Sequence, residues 1–387
     1  MSRFLFVVPP LEGHVNPALS VARALSARGH DVAWAGSEKF LRPLAGPDAT
    51  VYRTGLRLYR PQGERGFAAL KSLWEGYLIP LARFTLPAVD AAIEEYRPDV
   101  VVADQHAMAG AIAAHRRGLP WATLAPTLME LTRPYQSLPQ VEAWITGRLA
   151  DLCARAGLAA GTAFDPLNSP DLVLAFVSRE LTAGLALPDR VVATGPVLGG
   201  RPAGPGFPWD WLRQDRRHVL VTVGTLAAGV AQDFYTRMTQ ALAPLAGRVQ
   251  GILVGAPDAL AAAPDAPPNV RYLTRVPLLD LLPRLDAVVS HGGINTVCET
   301  LSRGVPLVIA PIRHDQPVTA SAVVSAGAGR RVHFGRARPD QLAAAVLGVL
   351  DEPSFRANAE RMRRSFVTAG GAAAAAEHLE YLPGYKT

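Results

Sequence analysis

Residues 291–316 read HGGINTVCETLSRGVPLVIAPIRHDQ, and an apolar run at 287–289 leads into them through Ser290. The run predicts a buried strand. Residues 295–303 then have helix-type sequence, with Gly304 placed to cap it. Residues 305–310 predict a second apolar strand, leading to Pro311, Asp315 and Gln316. Two strand ends and one helix N-terminus therefore converge on a small space. Free backbone N–H groups and the positive end of the helix dipole make such a terminus an anion site. Gly292 and Gly293 let a phosphate approach the main chain with no Cβ in the way. His291 and Thr296 add polar groups, Glu299 can reach ribose hydroxyls, and Asp315 and Gln316 can hold a sugar. Together they suit a nucleoside diphosphate carrying a sugar. A lone Gly-Gly would be a weak signal, and the competing reading is a buried strand–turn–helix with an incidental histidine. The agreement of so many parts in order decides against it.

Outward from this stretch, strands and helices alternate. Buried strands are predicted at 4–8, 31–35, 100–103, 121–124 and 172–176. The segment 9–15 reads as a loop, with Asn16 and Pro17 opening a helix as N-cap and first residue; Gly29 stops that helix. Residues 199–208, GGRPAGPGFP, are dense in Gly and Pro and read as an interdomain linker. Alternation then restarts, with strands at 218–223, 250–254, 270–272 and 287–290 and helices at 234–245 and 279–282. This is the pattern of an α/β protein with two parallel, doubly wound sheets. No internal repeat is visible. The Ala-rich stretch 372–379 predicts a last helix, stopped by Pro383 and Gly384.

The 387 residues are 49% hydrophobic and 19% charged, enough for two cored domains and against extensive disorder. The net charge is +6, but the basic residues are scattered and nearly all arginine, with Lys only at 39, 71 and 386. That favours a general attraction for anionic donors over nucleic-acid binding. The two cysteines, Cys153 and Cys298, have no metal or redox spacing, and Cys298 reads as a packing residue rather than a nucleophile. The apolar start is cut short by Pro9, Pro10 and Glu12, so no signal peptide is expected. No run approaches a membrane span. These features predict a cytoplasmic protein with no stable membrane insertion.

Residues 13–17, GHVNP, follow the first strand directly. In an open α/β sheet, ligands bind at the carboxyl ends of strands, which would put His14 in the cleft. Histidine is the natural general base near neutral pH, and a carboxylate on its other ring nitrogen would fix the tautomer. Taken bare, a loop histidine is more often structural than catalytic. Asp104 ends another strand of the same sheet and could sit beside His14, or could cap the helix starting near Ala107. Asp99 competes, but lies before its strand, at the wrong end. At 222–225, Thr222, Gly224 and Thr225 form a strand-end turn of a kind that binds phosphate oxygens, a weak signal alone.

The order His-Gly-Gly, helix with Glu, Gly-Val-Pro, Pro, Asp-Gln resembles the donor signature of glycosyltransferase family 1, inverting enzymes of the GT-B fold. The resemblance covers essentially the whole chain and is most specific over 270–330. It implies two Rossmann-like domains facing across a cleft: an acceptor-binding domain at 1–200, a linker at 201–215, a nucleotide-sugar domain at 216–370, and a C-terminal helix and tail at 371–387 that return to the first domain. It implies transfer of a sugar from a UDP- or TDP-sugar to a small apolar natural product, a polyketide or other secondary metabolite, with inversion. It makes His14 the base and Asp104 its partner, since the family carries its base in the same Gly-His-x-x-Pro context. Donor contacts are then expected at Thr222, Gly224, Thr225, Arg275, Val276, His291, Gly292, Gly293, Asn295, Thr296, Glu299, Asp315 and Gln316. The chain departs from the family at Arg275, where Trp is common, at Leu278, where Gln is common, and at Thr319, where Asn is common. These departures leave base choice and the nearby sugar or acceptor contacts open. Acceptor pockets of the family are apolar and built in the N-terminal half, where Trp74, Tyr77, Phe84, Trp121, Met129 and Tyr135 lie; for each alone, core packing is the favoured reading. No cofactor and no metal are expected, as no D-x-D pair occurs in the chain. The protein would act as a monomer or homodimer. The competing readings are a non-catalytic helper of the same fold, opposed by the presence of both His14 and Asp104, and a dinucleotide oxidoreductase, opposed by a first loop, PPLEGHVNP, without G-x-G-x-x-G. A serine hydrolase would need a G-x-S-x-G elbow, which is missing.

Overall fold

The computed structural model describes every residue except 61–63, 65, 160–161, 186, 199–205, 225–227, 261–264 and 383–387. Thr225, much of the Gly/Pro-rich linker and the Pro383–Gly384 stop therefore lie outside the described residues.

The first half is a parallel sheet of β1 (Arg3–Val7), β2 (Asp31–Gly36), β3 (Thr50–Arg53), β4 (Val100–Asp104), β5 (Trp121–Ala125), β6 (Leu172–Ala175) and β7 (Val191–Ala193), in the order β3-β2-β1-β4-β5-β6-β7. The second is a parallel sheet of β8 (Arg217–Thr222), β9 (Val249–Val254), β10 (Val270–Leu273), β11 (Ala287–Ser290), β12 (Leu307–Ile309) and β13 (Gly329–Arg331), in the order β10-β9-β8-β11-β12-β13. Helices cover both faces, which is why the central strands are continuous apolar runs: β4 and β11 are buried at every position.

In each sheet the strand order reverses once, between β1 and β4 and between β8 and β11. Such switch points open a crevice at the strand carboxyl ends. Val7 pairs with Ala103 at the first, and Thr222 with Ser290 at the second. The two GHVNP and HGGINT segments issue from these crevices.

Two expectations need correcting. The first helix does not begin at Asn16; it spans Glu12–Ala27, with Leu11 at its N-cap and Pro17 inside it. A proline in the second turn loses one backbone bond, the one its own N–H would have donated to residue 13. That loss is offset here, because the Gly13 carbonyl accepts the Asn295 side-chain amide at 3.0 Å. The predicted loop at 9–15 is thus shortened, and His14 sits in the first helical turn. The strand predicted at 305–310 is confined to Leu307–Ile309.

The described part of the linker is docked rather than free. Phe207 is buried and packs on Trp209, Arg284 lies over Trp209 and Arg271 over Trp211, and Gln250 donates to the Trp211 carbonyl. The halves also share an apolar cluster that joins Val173, Ala175 and Val177 to Ile294, Val297 and Phe366. The last helix, Gly371–Glu380, lays Ala375, Ala376 and Leu379 against Val15, Ala18 and Leu25 of the first half, and Glu380 pairs with Arg28 and His30. Among the described residues no helix is long and apolar enough to cross a membrane.

Candidate active site

β1 delivers the chain into the first helix, and β4 ends at Asp104, so His14 and Asp104 meet over the first crevice. His14 Nδ1 lies 2.9 Å from both carboxylate oxygens of Asp104. A carboxylate can only accept, so Nδ1 carries the proton, and in the neutral ring Nε2 keeps its lone pair. Asp104 is 1% exposed and His14 8%. Asp104 also accepts the His106 N–H at 2.8 Å. It does not cap the following helix, which starts at Met108 without a side-chain cap. Asp99 accepts the Arg3 N–H at the opposite end of the strand.

Three further groups complete this side. The His106 ring lies 4.4 Å from that of His14, tilted by 32°, and its Nε2 is 3.2 Å from Glu130 Oε1. Thr127 donates to the other oxygen of Glu130. Burial opposes the charge on both partners, but their mutual bond and attraction prevail: the His106 pKa is raised, and that of Glu130 is held down at about 2. Glu130 also lines a cavity of about 480 Å³ together with Trp74, Met129, Tyr135, Ile145 and Leu149. Trp74, Met129 and Tyr135 thus face a pocket, whereas Tyr77 and Trp121 are packed in the core and Phe84 is exposed.

On the other side, His291 follows β11 and its ring lies between Gly224 and Gly293; a Cβ on either glycine would fall 2.7 or 2.8 Å from it. Burial, with the charge of Arg313 adding, lowers the His291 pKa to about 4, so the ring is neutral near pH 7. Its Nδ1 is enclosed and, among the described residues, has no hydrogen-bond partner. Gly292 has φ +91° and donates to Ser290 Oγ. Gly293 is the N-cap of the helix Ile294–Leu301 and has no side chain with which to bond its first amides. Thr296 is half-buried in the first turn. Glu299, one turn on, is buried beside Asn16, Pro17 and Leu198. Thr222 is half-buried at the end of β8. Arg275 is exposed just past the end of β10, while Val276 is partly buried against the core. The Asn295 side chain is engaged with Gly13 across the cleft. Gln316 accepts the Ile312 and Arg313 N–H groups at 2.8 and 2.9 Å, so its carbonyl oxygen holds the loop that carries Asp315. Asp315 is half-buried; burial, then the charge of Glu130, pushes its pKa up to about 7.

Sequence reasoning passed over Tyr59, Glu130 and His314. His314 takes φ +56° in the same loop, and its Nε2 is 3.1 Å from Tyr59 Oη of the first half. A signal was available for Glu130, an acidic residue in an otherwise apolar stretch beside Met129 and Leu131. Nothing local marks Tyr59. Cys298 is buried with its sulfur toward the Phe176 carbonyl, a packing role. Among the described residues no group of His, Cys, Asp or Glu could hold a metal ion.

Two switch-point crevices, facing each other and bridged by side chains, define the GT-B class of glycosyltransferases. A family model described as the C-terminal domain of erythromycin biosynthesis protein CIII-like proteins matches residues 246–382. The elloramycin glycosyltransferase ElmGT of Streptomyces olivaceus is 31% identical over 380 residues, 91% of this chain and 90% of its own. The NDP-glycosyltransferase YjiC of Bacillus subtilis is 28% identical, over 96% of this chain and 95% of its own. The solved kitacinnamycin glycotransferase superposes with a TM-score of 0.82 at 28% identity, covering 98% of each chain. The chain belongs to this family of natural-product glycosyltransferases.

Proposed function

We propose that this enzyme moves a sugar from a nucleoside diphosphate, UDP or TDP, to a hydroxyl of a small apolar natural product, with inversion at the anomeric carbon. The observation that carries the reading is the His14–Asp104 pair, in which Nδ1 faces the carboxylate and Nε2 is the ring nitrogen left to act as base. Nε2 takes the acceptor proton as the acceptor oxygen attacks the anomeric carbon. The bond from that carbon to the diphosphate breaks, and Asp104 stabilises the imidazolium that forms. The departing diphosphate is received by the first amides and dipole of the helix Ile294–Leu301, with His291, Thr296 and the glycine backbone. Glu299 takes the ribose, Asp315 the sugar, and Arg275 with Val276 the base. Neutral donors and a helix dipole do the work a divalent metal would otherwise do, so the reaction needs none. The 480 Å³ cavity is the acceptor site; its size and apolar lining suit a small polycyclic or macrocyclic molecule. The elloramycin relative, named for a natural product, supports that acceptor class.

The test is product formation from UDP- and TDP-sugars with a panel of aglycones, read by mass spectrometry and by the anomeric coupling constant. The expected product is a glycoside of inverted configuration, formed at an unchanged rate after exhaustive chelation. Retained configuration, or activity lost to EDTA and restored by Mg²⁺, would overturn the reading.

A further inference from the structure

We infer that Asn295 positions the catalytic base from the donor side, by holding the Gly13 carbonyl that Pro17 leaves free; the inference rests on the donor and base assignments proposed above. In an uninterrupted helix the residue-17 N–H would bond the residue-13 carbonyl. Pro17 has no N–H, and it lies inside the helix Glu12–Ala27. The carbonyl is taken instead by Asn295 Nδ2 at 3.0 Å, a residue of the other half. The approach is close: a Cβ on Gly13 would come within 3.1 Å of that same nitrogen.

Gly13 directly precedes His14, whose own N–H bonds the Leu11 carbonyl at 3.0 Å. The backbone of the base is therefore fixed on one side by its own helix and on the other by the second residue of the helix Ile294–Leu301. That helix offers its terminal amides to the diphosphate. One helix end thus touches both the donor and the main chain that carries the base. Each Asn amide has two N–H groups, and the one spent on Gly13 is not available to a phosphate oxygen. Asn295 is accordingly a positioning residue, acting through His14.

The experiment is a double-mutant cycle of Asn295→Ala and Pro17→Ala in the full chain. Turnover and KM are measured with the sugar donor, and affinity for free UDP and TDP by calorimetry. Asn295→Ala should lower kcat about tenfold or more, since small misplacements of reacting groups are costly. Diphosphate affinity should stay within about twofold. Pro17→Ala supplies an N–H that competes for Gly13, so it should lower kcat in the same way. Because both act on one carbonyl, the losses should not add: in the Pro17→Ala background, Asn295→Ala should cost less than about threefold. Should Asn295→Ala fail to fold, Pro17→Ala with an intact melting transition still decides, by its own kcat-against-affinity split. A tenfold weaker diphosphate with kcat unchanged would make Asn295 a phosphate ligand and overturn the proposal, as would fully additive losses. If wild type binds neither diphosphate, the donor assignment itself falls.

Discussion

Asp104 serves two donors with one buried carboxylate: the His14 ring nitrogen, 2.9 Å from both oxygens, and the His106 backbone N–H on one. Replacing it with Asn keeps the shape but removes the charge that stabilises an imidazolium. Asp104→Asn is predicted to lower turnover by about 100-fold or more, with the protein folded by circular dichroism. Asp99→Asn, at the far end of the strand, should stay within about twofold. The reverse ranking would mean that the wrong aspartate has been assigned. The burial of the Asp315 carboxyl costs stability when it is charged. Its pKa of about 7 lies above the ordinary value of 3.8, so its contribution favours the fold below pH 4 and is lost as pH rises through 7. Glu130 has the opposite sign: with a pKa of about 2 against 4.5, its contribution is full above pH 4.5 and is lost as pH falls toward 2. Asp315→Asn should therefore stabilise the ligand-free protein at pH 8 by on the order of 1–2 kcal/mol and do nothing at pH 4. Urea denaturation at the two pH values checks this; equal differences at both would exclude a strained carboxylate. That His14 and Asp104 lie side by side was legible in the sequence because each follows or ends a plainly buried strand. Glu130, Tyr59 and His314 were not, because their meaning lies in contacts across the chain, 24 residues from His106 to Glu130 and 255 from Tyr59 to His314.

The helix Ile294–Leu301 depends on how its N-terminus is presented. Gly292 takes φ +91°, and a Cβ there would meet Ile309 Cγ2 at 2.9 Å and the Gln316 carbonyl at 3.3 Å. Gly292→Ala combines backbone strain of about 1–3 kcal/mol with a push on both strand-end loops. It should weaken diphosphate binding about tenfold or more, while Gly247→Ala, which meets nothing within 4 Å, should bind as wild type. Equal affinity in the two variants would remove the glycine turn from the donor site. Strands buried on both faces, such as β1, β4 and β11, were readable because their apolar runs are unbroken. β3, β7 and β13 were not: they are three or four residues long, lie at or toward sheet edges, and carry half-exposed positions. The start of the first helix was misread for a different reason. Pro17 is a good first residue by local rules, and only a side chain 282 positions away compensates it inside the helix.

At the scale of the whole molecule, the proposed reaction is divided between two sheets. The first carries the His14–Asp104 pair at the β1–β4 switch; the second carries the glycine-flanked His291 and the helix terminus at the β8–β11 switch. The halves are held in one arrangement by the shared apolar cluster, by Ser178 with Ser365, by Glu180 with Arg361, and by a last helix docked on the first. The proposed division separates chemistry from donor binding. The most direct measurement is therefore His14→Ala, assayed for turnover and, in the same preparation, for affinity toward the nucleotide-sugar by calorimetry. The account predicts turnover reduced by about 100-fold to 10,000-fold with donor affinity within about twofold of wild type. A variant that turns over normally, or one that loses the donor as it loses activity, would contradict it.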